Sequence, residues 1–400
     1  MNPLPEPRSM AVTFGGRVPL DDVVGRDETV AELWAELERH SVRLTEFRRS
    51  GKTTLLRLAE HRAPKGWICV RTSVQDARSA SDLVDLTLEA LQKHTGRRGK
   101  LAEALKALVE PVEDVRLPGV TVALRQDLRG KPVAALRSVL RNLGRSLEGS
   151  DTRLAIMWDE FPDAIEAITE NDGVQTAKDI LNLLRALRES DDSQRVRWVL
   201  TGSVGFHHVT SRLGGTAAIN DLGVVELPPL SGEWSRWLAE SLLLGIGLTP
   251  TAEQADALAG VSGGIPFVLE LLVKYLGKSG SARSATRTAA ELLLRDAASD
   301  VALGANWTPL LDRVDTRYGD RAVAAEDVLD LLARAPSAGT EVVPLLAESH
   351  GLDPREARGL LDLLCEDHYL AFDPDTSLYW WRHPPLRVIW QARRRAAPTW

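Results

Sequence analysis

Cysteine is nearly absent from this 400-residue chain: two occur, Cys69 and Cys365. Two thiols so far apart supply neither a disulfide framework nor a zinc site, so both are expected to be small buried apolar side chains. Long apolar runs are missing too. No stretch approaches the roughly 20 uninterrupted apolar residues that cross a bilayer. The opening MNPLPEPRSM has neither a basic n-region nor an apolar h-region, so the expectation is a soluble, cytoplasmic protein. Internal repeats and low-complexity tracts are also lacking. Lysine is scarce: nine occur among 49 basic residues, none after Lys278. With alanine-rich helices, that bias is a signature of genome base composition, which makes arginine abundance poor evidence for nucleic-acid binding. The formal charge of −7 argues against wholesale coating of a polyanion.

What the chain does have is material for cores. At 44% apolar residues it is not a disordered chain, and its length suits two or three domains. Residues 1–22 carry four prolines and a Gly-Gly pair and read as an extended arm outside any core. From Asp27, apolar residues at Val30, Leu33, Trp34 and Leu37 recur at helical spacing. Short apolar strands are expected at 41–45, 67–72, 154–158, 196–201 and 223–227. Helices fill the gaps at 51–61, 80–93, 132–147, 174–189 and 231–244. This alternation is the pattern of a parallel sheet covered by helices, placed at 23–229. The alternating residues Val120, Val122 and Leu124 suggest an inserted hairpin at 118–128. Beyond Pro228-Pro229 the pattern turns helical, giving a lid domain at 230–320. From 321 to 400, three short helices, two strands around Pro374-Asp375 and a final helix outline a winged helix.

The most specific motif is Arg48-Arg49-Ser50-Gly51-Lys52-Thr53-Thr54, at the junction of the first strand and the next helix. Gly-Lys-Thr matches the end of a P-loop, where backbone N–H groups wrap phosphates, lysine reaches the β and γ oxygens, and threonine holds Mg²⁺. With lysine so rare, about 0.1 chance Gly-Lys-Ser/Thr triplets are expected over the whole chain. The full motif has glycine where Glu46 stands. A carboxylate there is unfavourable beside phosphates unless it points away or meets Arg48 or Arg49. A second apolar strand ends in Asp159-Glu160. In a P-loop ATPase the first carboxylate orients the magnesium shell and the second polarises the attacking water. An additional strand, 67–72, lies between these motifs in the chain. A third strand ends Thr201-Gly202-Ser203, a polar tip expected beside Asp159, where a hydroxyl can sense the γ-phosphate.

In this order the motifs resemble the signal-transduction ATPases with numerous domains (the STAND class), most of all their archaeal-type branch, relatives of AAA+ and replication-initiator ATPases. Gly25-Arg26-Asp27-Glu28 resembles the family's Gly-Arg box, which by resemblance lies near the adenine. Gly263-Gly264-Ile265-Pro266 is similar to the Gly-x-Pro module, whose proline touches the nucleotide in relatives. The ending Trp380-Trp381-Arg382-His383-Pro384-Pro385-Leu386 resembles the tail of the family's winged helix. The resemblance spans about residues 23–395 and departs at Glu46 and Phe47, where relatives carry glycine and usually proline.

The resemblance implies a switch that holds ATP and Mg²⁺. Arg48 to Thr54, Gly25, Arg26, Ser203 and Pro266 would contact the nucleotide, Thr53 and Asp159 the metal, and Lys52, Asp159 and Glu160 would serve catalysis. Two readings stay open: an ATPase that couples nucleotide state to domain arrangement and partner binding, or a non-hydrolysing nucleotide-binding scaffold or winged-helix module that binds DNA or protein. Partners are a protein effector, a second copy in a nucleotide-dependent oligomer, or DNA met by Arg387, Arg393, Arg394 and Arg395 beside Trp390. His207, His208 and His383 lack metal-ligand companions and are expected to be structural.

Overall fold

A computed structural model describes residues 4–93, 131–190, 194–202, 206, 209–210, 213–214, 218–279, 286–300 and 308–396. The hairpin expected at 118–128, His207, His208 and Ser203 lie outside the described residues. The chain divides into two compact units. One comprises Met1–Arg26, Phe47–Gly51 and Pro228–Trp400; the other comprises Asp27–Glu46 and Lys52–Leu227.

The second unit is the sheet unit. Its elements are α1 (Asp27–Leu37), β1 (Val42–Thr45), α2 (Lys52–His61), β2 (Trp67–Ser73), α3 (Ala80–Gln92), α4 (Pro132–Ser146), β3 (Arg153–Asp159), α5 (Phe161–Asp172), α6 (Val174–Glu189), β4 (Val196–Gly202) and β5 (Gly223–Glu226). The strands pair in parallel in the order β2-β3-β4-β1-β5. In β3, Leu154 through Asp159 are all buried, which is why this strand reads as a continuous apolar run rather than an alternation. Its core joins Trp158, Trp198, Phe161 and Phe206 to leucines of α3, α4 and α6. Trp158 and Trp198 meet edge to face at 4.9 Å. β2 intervenes between the two motifs along the chain but forms an edge of the sheet. The strand inserted between β1 and β3 is β4, which brings its polar tip beside Asp159 as the sequence implied.

The first unit holds α7 (Gly232–Gly245), α8 (Ala252–Ser262), α9 (Pro266–Ser279), α10 (Arg287–Ser299), α11 (Thr308–Tyr318), α12 (Ala322–Arg334), β6 (Ala338–Gly339), α13 (Val342–His350), α14 (Pro354–Glu366), β7 (Leu370–Asp373), β8 (Leu378–Trp381) and α15 (Pro384–Ala396). The last seven elements form a winged-helix-like module whose antiparallel sheet is ordered β6-β8-β7. The two-residue strand β6 is too short to be legible as a strand. A reciprocal capping box between Asp353 and Glu356 starts α14, and Asp373 accepts from Asp375 N and Thr376 Oγ1 in the β7–β8 turn. One apolar core runs from Met10 and Phe14 through α7–α10 to Tyr379, Trp381 and Trp390.

Two expectations are corrected here. The N-terminal arm is extended, but it belongs to a core: Met10 and Phe14 are buried, because two apolar side chains among the prolines suffice to anchor it. Cys69 is buried as expected, whereas Cys365 is half-buried, its thiol pushed up to about 12 by burial and the neighbouring Asp362.

Candidate nucleotide site

The sheet unit gathers four of the chemistry-bearing side chains. α2 begins at Lys52, so its first-turn N–H groups have no intrahelical acceptor and are available to an anion. Lys52 is buried, and its ammonium donates to the main-chain carbonyl of Glu46 at 2.6 Å. Thr53, one residue on, keeps an exposed position while its hydroxyl donates to Asp159 Oδ2 at 2.6 Å. The hydroxyl of Thr201 donates to the other oxygen, Oδ1. Asp159 is thus a 3%-exposed carboxylate held from both sides by hydroxyls.

Sheet register explains this convergence. Trp158 pairs with Leu200 across β3 and β4, and one step further brings Asp159 opposite Thr201. Thr201 in turn pairs with Leu44 of β1, the strand that leads into the phosphate loop. All these groups lie at the C-terminal ends of parallel strands, where open α/β sheets bind ligands. Sequence reasoning chose Ser203 as the polar residue of this strand tip. Thr201 is the hydroxyl that meets Asp159, and its signal was a lone hydroxyl directly after the apolar run Trp198-Val199-Leu200. Glu160 follows with a left-handed backbone, φ 59° and ψ 42°, and caps α5. That conformation costs a non-glycine residue about 1 kcal/mol or more, the kind of local strain that concentrates at functional positions.

The tip of the phosphate loop, Phe47–Gly51, groups with the other unit. Gly51 has φ +106°, a backbone that favours glycine, and a methyl group placed there would meet nothing within 4 Å. Ser50 Oγ is buried without a hydrogen-bond partner. An open space beside Gly51 and an orphaned hydroxyl at Ser50 both suit a phosphate oxygen. Thr54 is half-buried, as are Arg48 and Arg49. Arg49 has φ 69° and lies 4.5 Å over the Phe267 ring. Burial, then the neighbouring Arg48, lowers its pKa. Phe47 is buried, its ring 4.6 Å from that of His383. Glu46 is also buried, at 2% exposure, and stays with the sheet unit.

Among the described residues no cluster of three or more His, Cys, Asp or Glu is built to cage a metal. The donor set at Thr53 and Asp159 is one hydroxyl and one carboxylate, hard oxygen ligands too few to satisfy a cation alone. That set fits Mg²⁺, which keeps several waters and takes its remaining ligands from substrate phosphates.

The other predicted contacts are in the first unit. Arg26 is buried and donates to the Pro228 carbonyl at 2.6 Å. Gly25, at φ +63°, sits so close to Trp234 and Leu230 that a methyl group would come within 2.8 Å of each. Pro266 starts α9, and Leu230 N donates to Gly264 O at 2.8 Å just before it. Two of the arginines expected to meet DNA have partners within their own module. Arg394 pairs with Asp330 and Glu326, and Arg387 donates to the Ala333 carbonyl. Trp390 is 2% exposed and donates to Asp330 at 2.6 Å, so it is a core side chain rather than a wedge for bases. His383 is buried.

No protein-family model matches the chain, and no curated protein matches it. Solved structures do. The chain is similar to the Walker-type ATPase of Pyrococcus abyssi over 93% of its own length and 97% of the other's, with a TM-score of 0.63 and 17% identity. It is also similar to the ORC2 protein of Aeropyrum pernix, solved in ADPNP-ADP complexes, over 97% and 99% of the two chains, with a TM-score of 0.50 and 15% identity. The likeness shows the fold, a P-loop sheet architecture shared with these structures. The parallel sheet is followed by a helical region and a winged-helix-like module, as the sequence implied. Among the described residues no helix is long and apolar enough to cross a membrane.

Proposed function

We propose that this chain is an ATP-binding, ATP-hydrolysing switch of the AAA+ and STAND kind, working in the cytoplasm with Mg²⁺. The observation that carries the reading is Asp159, held by the hydroxyls of Thr53 and Thr201 and followed by Glu160 in a left-handed turn. In this scheme the N–H groups at the start of α2, the Lys52 ammonium and the Ser50 hydroxyl bind the phosphates. Thr53 and Asp159 would hold Mg²⁺, which when bound would supply positive charge against the phosphates. Glu160 orients a water toward the γ-phosphorus and takes its proton as the new P–O bond forms. The bond between that phosphorus and the bridging oxygen breaks, leaving ADP and phosphate. Thr201 fixes the Asp159 carboxylate for its role.

The specific relatives named by resemblance support a switch whose nucleotide state alters domain arrangement, a second copy among its partners included. The described C-terminal arginines favour a protein effector over DNA, since Arg387 and Arg394 are engaged within their own module. One observation favours the scaffold alternative: Lys52 already holds the Glu46 carbonyl, a contact phosphate must replace or share. Calorimetric titration with ATP and Mg²⁺, paired with phosphate release, separates the two. Binding with turnover supports the ATPase, binding without turnover supports the scaffold, and no binding by the wild-type protein defeats both.

A further inference from the structure

The N-terminal arm is fastened along two helices by stripes at helical spacing. On α7, Trp237 Nε1 donates to the Pro5 carbonyl at 2.6 Å, and Ser241 O accepts from Met10 N at 3.1 Å. One turn further, a side chain at Gly245 would collide with the Met10 carbonyl. On α9 the stripe is Phe267, Glu270 and Lys274. Thr13 Oγ1 donates to Glu270 at 2.8 Å, and Phe14 N donates to the second oxygen of the same carboxylate. The Phe14 ring stacks on Phe267 at 4.7 Å and 12°, with Lys274 Nζ 4.7 Å from its centre.

The same Phe267 carries Arg49 of the phosphate loop, 4.5 Å from its ring. Next to Phe14, Gly15 at φ +82° comes so close that a methyl group would stand 2.7 Å from the Arg49 guanidinium. Arg49 Nε is buried there without a hydrogen-bond partner. A left-handed arginine persists only where its surroundings over-determine it, and the arm supplies one of the walls that do so.

We infer that the N-terminal arm is a latch on the phosphate loop: residues 13–15, seated on Phe267 and Glu270, hold Arg49 and with it the conformation of Phe47–Gly51. Release of the arm frees the loop tip and speeds nucleotide exchange. That last consequence rests on the function proposed above; the hold on the loop does not. Glu270, half-buried and accepting both arm donors, is the group whose loss undoes the latch.

The test is amide hydrogen exchange on the full-length chain without nucleotide, comparing the wild type with Thr13→Ala/Phe14→Ala. The latch predicts about tenfold faster exchange at residues 47–52 together with the arm, and unchanged exchange at 154–159 in β3. Faster exchange in the arm with an unchanged loop overturns it. If the double variant loosens β3 as well, Glu270→Gln, which keeps the shape of the side chain, is read by the same two outcomes. Adding ATP and Mg²⁺ to the wild type tests the nucleotide reading separately: protection of 50–54 supports it and no response contradicts it, while the latch stands or falls on the arm variants alone.

Discussion

Lys52 illustrates how much one residue can say in this chain. Its rarity made the Gly-Lys-Thr triplet legible, and the structure places it at the first position of α2 with its ammonium buried. Lys52→Ala removes a charge-assisted contact of roughly 1.5–3 kcal/mol and is expected to weaken ATP binding by about 10- to 100-fold in a calorimetric titration. Thr201 gives the complementary case. Thr201→Val keeps the volume of a buried side chain but leaves Asp159 Oδ1 without its donor. Affinity for ATP should change little, while turnover falls by about 10- to 100-fold, as when outer partners of metal ligands are removed. Equal loss of both would make Thr201 a packing residue only. Thr201 was within sight in the sequence as part of a polar strand tip, yet it could not be preferred over Ser203 without the register that sets it opposite Asp159. Glu46 and Phe47 were legible only as departures from a motif. That both are buried depends on which unit each side chain packs into, and local spacing does not encode that.

At the level of elements, the alternation of short apolar runs with helical segments marked every strand of the parallel sheet, most clearly β3 and β4, which are almost wholly buried. What it could not give was sheet order: β2 intervenes in the chain, while β4 intervenes in space. It also missed α5, whose start is written by Pro162 immediately after the Asp-Glu pair. Between α6 and β5, Arg188 reaches Asp221 through two bonds, at 2.6 and 2.7 Å. Burial alone would raise the Asp221 pKa, but hydrogen bonds and charge from Arg188 outweigh it, so the carboxyl titrates below its ordinary value. A folded pKa below the unfolded one contributes stability that is complete above the unfolded value, about 4, and is lost as pH falls through the folded one. Asp221→Asn should therefore lower Tm at pH 7 by an amount worth less than about 1 kcal/mol, since solvent screens this half-exposed carboxylate. The gap to wild type should close as the pH is taken below 4. A gap that stays constant with pH would assign the effect to shape rather than charge. In the winged-helix-like module, Trp390 packs 5.8 Å from Trp381 and is almost fully buried. Trp390→Ala is expected to cost about 3–5 kcal/mol, read by chemical denaturation.

For the whole molecule, the sequence implied three bodies after an arm, and the chain forms two compact units. The helical region, the winged-helix-like module and the arm share one apolar core. The burial of the arm escapes a sequence reading because proline and glycine predict extension well and predict burial poorly. A core place for Met10 and Phe14 needs partners more than 220 residues away along the chain. Charge told more at this scale. With a net −7 and with Arg387 and Arg394 engaged internally, duplex DNA should show no saturable binding at physiological salt, in an anisotropy titration with a labelled duplex. Saturable binding lost in Arg393→Ala would restore the nucleic-acid reading.

The proposed function comes down to whether Asp159 and Glu160 complete a working ATPase on this fold. The decisive assay is Mg²⁺-dependent phosphate release from ATP, with Glu160→Gln run beside the wild type. Steady release is expected from the wild type, with a loss of about 100-fold or more in the variant, which still binds ATP. Release that is equal in both proteins, or absent in a wild type that does not bind ATP, would contradict the proposal.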